Sequence, residues 1–190
     1  GKFVWPSYVH AKLLHVDTSE AKKMPGVVAV ATAADVPGRN LFGQGYFPQQ
    51  PIIASDTIRY VGDPIAIVYA ESEAQAEAAA KMVKAEYEPL PVISDMEEAA
   101  KPDSIKVYPE YEDGNFCSRD HTHKGSVERG FAISDVIVEG DYETQPIDHA
   151  YLEPDAALTE LDKDGKLVVH GTVQGPANFR KDLAACLNLN

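Results

Sequence analysis

The chain of 190 residues is 44% hydrophobic and 25% charged, values typical of a globular protein, and its formal net charge is −13. Its 17 lysines and arginines are scattered among 30 acids, which argues against a nucleic acid or an anionic membrane as a partner. No apolar run reaches the roughly 18 residues needed to span a bilayer, and no signal-peptide pattern opens the sequence. Cys117 and Cys186 form no disulfide or zinc pattern, so we expect a reducing, cytoplasmic setting.

The first part of the chain predicts a strand, a short helix and a second strand. The first strand covers residues 11–16 (AKLLHV), and residues 17–19 (DTS) then offer N-cap oxygens for a helix. That helix is short because Pro25-Gly26 must end it. Residues 27–32 (VVAVAT) predict a buried strand, and residues 35–51, rich in Gly, Pro, Asn and Gln, predict a loop.

Two further strands are predicted on either side of a turn. Residues 58–61 and 65–70 flank Gly62-Asp63-Pro64, a sequence typical of turns because Gly permits unusual φ values and Pro presets its own. Residues 65–70 (IAIVYA) show no polar alternation. We therefore predict a central strand that is covered on both faces.

A helix and another strand follow. Ser72 and Gln75 form a capping box, which predicts a helix over residues 73–85. Its narrow apolar stripe would let the helix lie close to a sheet; the stripe consists of Ala76, Ala79, Ala80 and Val83. Residues 86–90 predict the next strand, and the order strand, strand, helix, strand predicts an α+β fold.

A polar segment over residues 97–124 predicts a linker. It contains His121 and His123, which could bind a metal ion, but no carboxylate or thiol stands at a matching spacing. A solvated loop is the favoured interpretation.

The last third of the chain predicts a strand, a hairpin and a helix. Residues 135–143 (DVIVEGDYE) predict the strand. Residues 155–161 and 166–173 flank Asp162-Lys163-Asp164-Gly165, and a loop ending in Asp-Gly between apolar runs indicates a hairpin. Pro176 suits a first helical position, and the helix that follows has apolar residues at helical spacing: Phe179, Leu183 and Leu187.

Five motifs, in order along the chain, are shared with a known family. They are residues 10–38 (HAKLLHVDTSEAKKMPGVVAVATAADVPG), 59–64 (RYVGDP), 125–131 (GSVERGF), 151–154 (YLEP) and 172–174 (TVQ). Together they resemble the large, molybdopterin-binding subunit of the xanthine dehydrogenase and aldehyde oxidase family. One departure is Ser126, which stands where the family usually has Asp.

The resemblance implies an α+β fold with a definite division of the chain. Residues 1–100 would form an α/β hammerhead domain, residues 101–124 a linker, and residues 125–190 the first strands, hairpin and helix of the molybdenum-cofactor-binding domain. The intact enzyme would oxidatively hydroxylate a purine, an N-heterocycle or an aldehyde with oxygen from water. It would use molybdenum-molybdopterin, with the cytosine dinucleotide form as one alternative, and iron–sulfur clusters and FAD in partner subunits or domains.

The resemblance assigns a cofactor role to Gln174. Family members have a Ser/Thr-x-Gln strand end whose amide approaches an oxo ligand of the molybdenum, and Thr172-Val173-Gln174 matches it. A neutral amide N–H can stabilise such an oxygen without adding charge. The alternative is that Gln174 only satisfies backbone groups where the strand joins the helix.

Three polar residues shortly before the predicted hairpin could have either a chemical or a structural role. His149, Tyr151 and Glu153 would share one face of an extended strand, because strand side chains alternate. Such a trio could relay protons. The favoured alternative is a hydrogen-bonded structural cluster.

No catalytic residue is expected within the 190 residues, and no metal ligand is predicted. The resemblance implies a Gly-Gly-Phe-Gly-Gly-Lys loop and a general-base glutamate, both expected beyond Asn190, so we expect the 190 residues alone to be inactive. A second hypothesis is a non-catalytic α+β module that serves subunit assembly or partner binding.

Overall fold

The computed structural model describes residues 1–43 and 50–189, which divide into two compact units. The first unit comprises Gly1–Arg119 together with Gly175–Asn190, and the second comprises Asp120–Gln174. Residues 44–49 of the predicted loop lie outside the described residues. Helices and strands are both present in the described part of the chain, as the predicted α+β class requires.

The strands and helices follow one another along the chain. The strands are β1 (Lys2–Val4), β2 (Ala11–Asp17), β3 (Val27–Ala31), β4 (Leu41–Phe42), β5 (Gln50–Pro51), β6 (Thr57–Ile58), β7 (Ala66–Ala70), β8 (Lys84–Pro89), β9 (Ala157–Leu161) and β10 (Leu167–Gly171). The helices are α1 (Ser19–Lys22), α2 (Glu73–Ala80), α3 (Met96–Ala100), α4 (Val127–Ala132) and α5 (Pro176–Cys186), with a short 3₁₀ turn at Ala33–Asp35.

Two antiparallel three-stranded sheets build the first unit. Their strand orders are β1–β7–β3 and β6–β2–β8, and β4 pairs with β5. The core lies between these sheets and the helices, and its buried members are Val4, Leu13, Ala21, Val30, Ala54, Ile58, Ile65, Ala66, Val68 and Ala79. The short helix α1 ends before Pro25-Gly26, as predicted.

The central position of β7 is confirmed, but its predicted coverage on both faces is wrong. Val68 is fully buried, whereas Tyr69 on the opposite face is 45% exposed. Helix α2 packs against β7 and β1 and helix α1 against β3, yet alternate residues of β7 remain accessible. The predicted burial of β3 is also wrong: β3 lies at the edge of the same sheet and has one buried residue, Val30, while Val28 is 73% exposed.

Helix α2 starts as predicted and ends five residues early. Ser72 Oγ accepts a hydrogen bond from the Gln75 backbone N–H, which caps the first turn. Ala76 and Ala79 are buried against the sheet, as the small-residue stripe predicts. The chain leaves the helix after Ala80 because residues from Lys84 onward pair with β2, and strand pairing outweighs the local helical pattern.

The predicted strand over residues 135–143 is absent, and a helix precedes it instead. Helix α4 is capped by Ser126 Oγ, which accepts from the Arg129 backbone N–H. Residues 135–143 have no strand partner among the described residues. Their apolar side chains are exposed, Val138 to 83%. An apolar run forms a strand only where a neighbouring strand supplies hydrogen bonds, and the second unit supplies none here.

The predicted hairpin is confirmed. Strands β9 and β10 pair antiparallel from Leu161↔Leu167 to Ala157↔Gly171. Asp162 Oδ1 accepts hydrogen bonds from the backbone N–H groups of Asp164 and Lys166, at 2.9 and 2.8 Å, which closes the loop. Gly165 adopts φ +76°, the left-handed conformation that its position in the loop requires.

Candidate cofactor-contacting site

Gln174 lies between the hairpin and the last helix, three residues after β10 and two before α5. The residue is exposed. Within the described part of the chain its side-chain amide makes no hydrogen bond, so it satisfies no backbone group at this join. The amide is therefore available to donate to a ligand.

The hairpin ends three residues before Gln174, and the two residues between them belong to no strand. Five residue pairs join β9 and β10, and the side chains of His170 and Glu160 approach to 3.2 Å across them. On the other side of Gln174, a Cβ added to Gly175 would meet no atom within 4 Å. Within the described residues, nothing therefore crowds the backbone at Gly175.

These features fit an oxygen-bearing anionic cofactor. An exposed, unbonded amide can donate its N–H without the desolvation that a charged donor would suffer. The donor that Gln174 offers is thus an uncharged amide.

His149, Tyr151 and Glu153 do not share a strand face. No strand is present at these residues, and Ala150 between the first two adopts φ +46°, which interrupts the alternation of side chains. All three residues are exposed, and none forms a hydrogen bond within the described residues. The structure therefore supports neither a proton relay nor a hydrogen-bonded cluster here.

His121 and His123 are exposed, as the solvated-loop interpretation requires. In residues 1–43 and 50–189, no three His, Cys, Asp or Glu side chains are close enough together to hold a metal ion. Both cysteines are free thiols, Cys117 exposed and Cys186 partly buried.

The best-organised polar cluster in the first unit surrounds Arg59 and Asp63. Asp63 is 2% exposed, and its Oδ2 accepts the Arg59 backbone N–H at 2.8 Å. The Arg59 guanidinium stacks over the Tyr108 ring at 4.6 Å, donates from Nε to the Val107 carbonyl at 3.2 Å, and lies 3.6 Å from Glu110. This cluster fastens the RYVGDP turn to the segment that follows α3.

Burial raises the pKa of the Asp63 carboxyl above its ordinary value, although hydrogen bonds from the Arg59 and Tyr60 backbone and the Arg59 charge act in the opposite direction. Sequence reasoning interpreted this motif as a turn and missed the cluster. The only local signal is an Arg and an Asp four residues apart. Tyr108 lies far along the chain, so no sequence spacing could have found it.

The helices in the described residues are all too short or too polar to cross a membrane.

Two family models match consecutive parts of the chain. The first, described as "Aldehyde oxidase and xanthine dehydrogenase, a/b hammerhead domain", matches residues 1–91. The second, described as "Molybdopterin cofactor-binding domain", matches residues 107–190. The matches follow the order that the sequence motifs predict.

Individual relatives agree with these matches. The chain is 38% identical over 189 residues to a probable xanthine dehydrogenase subunit of Bacillus subtilis, covering 100% of this chain and 25% of that protein. It is 33% identical over 180 residues to the nicotinate dehydrogenase large molybdopterin subunit of Eubacterium barkeri, covering 95% and 41% respectively.

The fold also matches a solved structure, the aldehyde oxidoreductase of Desulfovibrio gigas, with a TM-score of 0.86 and 33% identity. This match covers 100% of the present chain and 22% of that enzyme chain. The chain therefore spans about a quarter of the length of the Bacillus subtilis and Desulfovibrio gigas proteins.

Proposed function

Because the chain belongs to the xanthine dehydrogenase and aldehyde oxidase family, we propose that it is part of the molybdenum subunit of an enzyme that oxidatively hydroxylates a small molecule. The observation that carries the proposal is the ordered pair of family matches, hammerhead first and cofactor-binding domain second. The substrate class is a purine, an N-heterocycle or an aldehyde, and the oxygen comes from water. The division at residues 1–100, 101–124 and 125–190 is part of the same proposal.

Gln174 is the residue of this chain that would contact the cofactor. When bound, molybdenum-molybdopterin supplies the oxidation of the substrate carbon. Gln174 would donate an amide N–H to an oxygen of the cofactor and so help to hold it, while adding no charge near the metal. Its exposure and the absence of a competing hydrogen bond within the described residues support this role.

Other modules would complete the enzyme. Electrons leaving the cofactor require acceptors, which iron–sulfur clusters and FAD in partner subunits or domains would provide. The relatives from Bacillus subtilis and Eubacterium barkeri are each named as one subunit of a dehydrogenase, which supports such an assembly. The cofactor would carry either the simple pterin or the cytosine dinucleotide, and the enzyme would work in the cytoplasm.

The competing candidate is a non-catalytic module for subunit assembly. It is favoured by the second unit, whose apolar side chains are exposed; Leu152 is 99% and Tyr142 93% exposed. Monomers rarely leave so many large apolar side chains in water, so this unit would pack against further protein. A unit that packs against further protein can also bind the cofactor. The molybdenum and pterin content of the purified enzyme therefore distinguishes the two candidate functions.

The test uses the intact enzyme. We expect purified enzyme to contain molybdenum and pterin and to oxidise at least one member of a panel of purines, N-heterocycles and aldehydes. Gln174→Ala should lower kcat by about 10–100-fold, the usual effect of removing an outer hydrogen bond at a metal centre. Gln145→Ala, an exposed glutamine of the same unit, is the matched control and should leave kcat unchanged. Enzyme that contains neither molybdenum nor pterin would favour the assembly module.

A further inference from the structure

The segment that follows α3 folds back on itself around the side chain of Asn115. The Asn115 amide nitrogen donates to the Ala99 carbonyl at 3.0 Å and to the Ile105 carbonyl at 2.8 Å. Its Oδ1 accepts the Val107 backbone N–H at 2.8 Å. Both donor hydrogens and the oxygen of this amide are therefore bonded. The segment has a defined conformation, although its polar composition predicts a linker.

Backbone turns complete the same segment. The Tyr111 N–H donates to the Tyr108 carbonyl at 3.1 Å, and the Gly114 N–H donates to the Tyr111 carbonyl at 3.3 Å. The rings of Tyr108 and Tyr111 meet edge to face, with 5.8 Å between their centroids. We refer to residues 105–116 as the strap.

Arg59 joins the strap to the rest of the first unit. Its three contacts described above all reach the strap, at the Val107 carbonyl, the Tyr108 ring and Glu110. The Arg59 side chain is only 14% exposed, whereas that of Glu110 is 55% exposed. The hydrogen bond and the ring contact should therefore hold the strap more strongly than the exposed ion pair does.

The backbone of Arg59 is fixed by the core of the first unit. It directly follows Ile58, which is fully buried in β6, and its N–H is bonded to the buried carboxylate of Asp63. The strap, in contrast, contains no helix, no strand and no buried residue. Arg59 thus connects a well-packed element to a segment with few buried contacts of its own.

The strap also forms one wall of a cavity of about 340 Å³ within the first unit. Tyr108 and Glu110 line the cavity from the strap, and Leu41 and Arg39 are among the lining residues from the rest of the unit. Tyr108 and Leu41 are both half-buried. Movement of the strap would therefore remove a wall of the cavity and expose these side chains further.

We propose that the strap opens as one unit while the core stays folded, that Arg59 is the lock that holds it closed, and that its opening uncovers the cavity beside Leu41. Segments without buried residues or regular secondary structure open at a lower free energy than paired strands do. Strand β7 of the same unit is paired on both sides and provides the comparison. The opening of the strap does not depend on the cofactor role proposed for Gln174.

Hydrogen exchange of the intact enzyme tests the lock. In Arg59→Met the bonded amides of Val107, Tyr111 and Gly114 should exchange about 10–100-fold faster than in wild type, while those of β7 should not change. Arg59→Lys keeps the charge but loses the planar guanidinium, so it should behave like Arg59→Met. Arg180→Met removes an exposed guanidinium from the same unit and should leave the strap at wild-type rates.

Asn115→Asp tests the strap from within. A carboxylate oxygen would face the Ala99 and Ile105 carbonyls in place of the amide nitrogen, so the same strap amides should exchange faster. Hydroxyl-radical footprinting of the same samples reports on the cavity. Oxidation of Tyr108 and Leu41 should rise about two- to threefold in both Arg59→Met and Asn115→Asp, because a mobile strap exposes both side chains.

Each alternative outcome contradicts one part of the proposal. Unchanged exchange of the strap in both Arg59→Met and Asn115→Asp would overturn the lock. Equal acceleration in the strap and in β7 would show that the strap does not open by itself. Faster exchange with wild-type oxidation of Leu41 would contradict the uncovering of the cavity. The molybdenum content of the wild-type enzyme tests the proposed function separately, and none of these comparisons depends on it.

Discussion

Both compact units contain many apolar side chains but bury them very differently. The first unit encloses a core that includes Val68, Ala66 and Ile58, each fully buried. Within Asp120–Gln174 no described residue is buried. Val68 and Val138 are the same residue type, yet they are 0% and 83% exposed. An apolar sequence favours burial, but a side chain is buried only where the fold supplies other groups that pack against it.

The largest expected difference between the units is in hydrogen exchange of the 190-residue chain. Amides of β7 should exchange at least about 1000-fold slower than those of residues 133–152, because β7 is paired on both sides whereas that segment has no strand partner. Mass spectrometry of peptides from both segments measures this ratio. Strong protection of residues 133–152 in the isolated chain would contradict the comparison. The same peptides should gain protection in the intact enzyme.

Matched valine truncations sharpen the comparison. Val68→Ala should lower the free energy of unfolding by about 2–3 kcal/mol, since it leaves a cavity in the core. Val138→Ala should change it by less than about 0.5 kcal/mol, because the side chain already lies in water. Urea unfolding followed by circular dichroism gives both values. Equal effects at the two positions would show that the second unit has a core of its own.

Removing the Asp63 carboxylate tests the polar cluster of the first unit. Asp63→Ala leaves the buried Arg59 N–H without its acceptor and should cost about 1–3 kcal/mol. Asp63→Asn retains an acceptor oxygen and should cost less. Urea denaturation at neutral pH compares the two variants.

The pH dependence of Asp63 has a definite sign. Its folded-state pKa is raised, so the folded state binds the proton more tightly than the unfolded state does. This contribution to stability is present below the ordinary carboxyl pKa and is lost as the pH rises through the raised value. In Asp63→Asn this fall in the free energy of unfolding with rising pH should disappear. The free energy of unfolding of the variant should therefore depend less on pH above the ordinary carboxyl pKa. An Asp63→Asn variant whose free energy of unfolding changes with pH in parallel with that of wild type would contradict the raised pKa of Asp63.

The smallest expected effect is at the hairpin loop. Gly165 has φ +76°, and a Cβ there would meet no atom within 4 Å, so Gly165→Ala should cost only the conformational penalty of about 1–2 kcal/mol. We expect that penalty in the hairpin alone, seen as faster exchange in β9 and β10. Gly26→Ala, at φ +79°, should carry a similar conformational penalty in the first unit, because the end of the Gln75 side chain that the Cβ would meet can rotate away.

Local signals predicted much of the fold because they depend on neighbouring residues. Ser72 caps α2, Pro25-Gly26 ends α1, and the Asp-Gly loop forms the hairpin, each through contacts within a few positions. The predictions that were wrong concern features that residues distant in the sequence determine. The end of α2 and the exposed faces of β3 and β7 were decided by which strands and helices lie beside them.

The candidate site shows the same division. The position of Gln174 between a hairpin and a helix could be predicted from the Thr-x-Gln motif and Pro176. The backbone hydrogen bonds from Gly38 and Arg39 to the last turn of α5 could not be predicted, because neither residue belongs to a local pattern that indicates a distant helix end. The left-handed conformation of Ala150 likewise has no sequence signal, since alanine rarely adopts positive φ.

The backbone N–H groups of Gly38 and Arg39 donate to the Cys186 and Ala185 carbonyls at the end of α5, at 2.8 Å each, which has a practical consequence for dividing the protein. The second family match begins at residue 107, but the last helix belongs spatially to the unit that the first match occupies. A hammerhead fragment cut near residue 107 would leave two backbone amides without acceptors. Only a fragment that retains residues 175–189 can keep them paired.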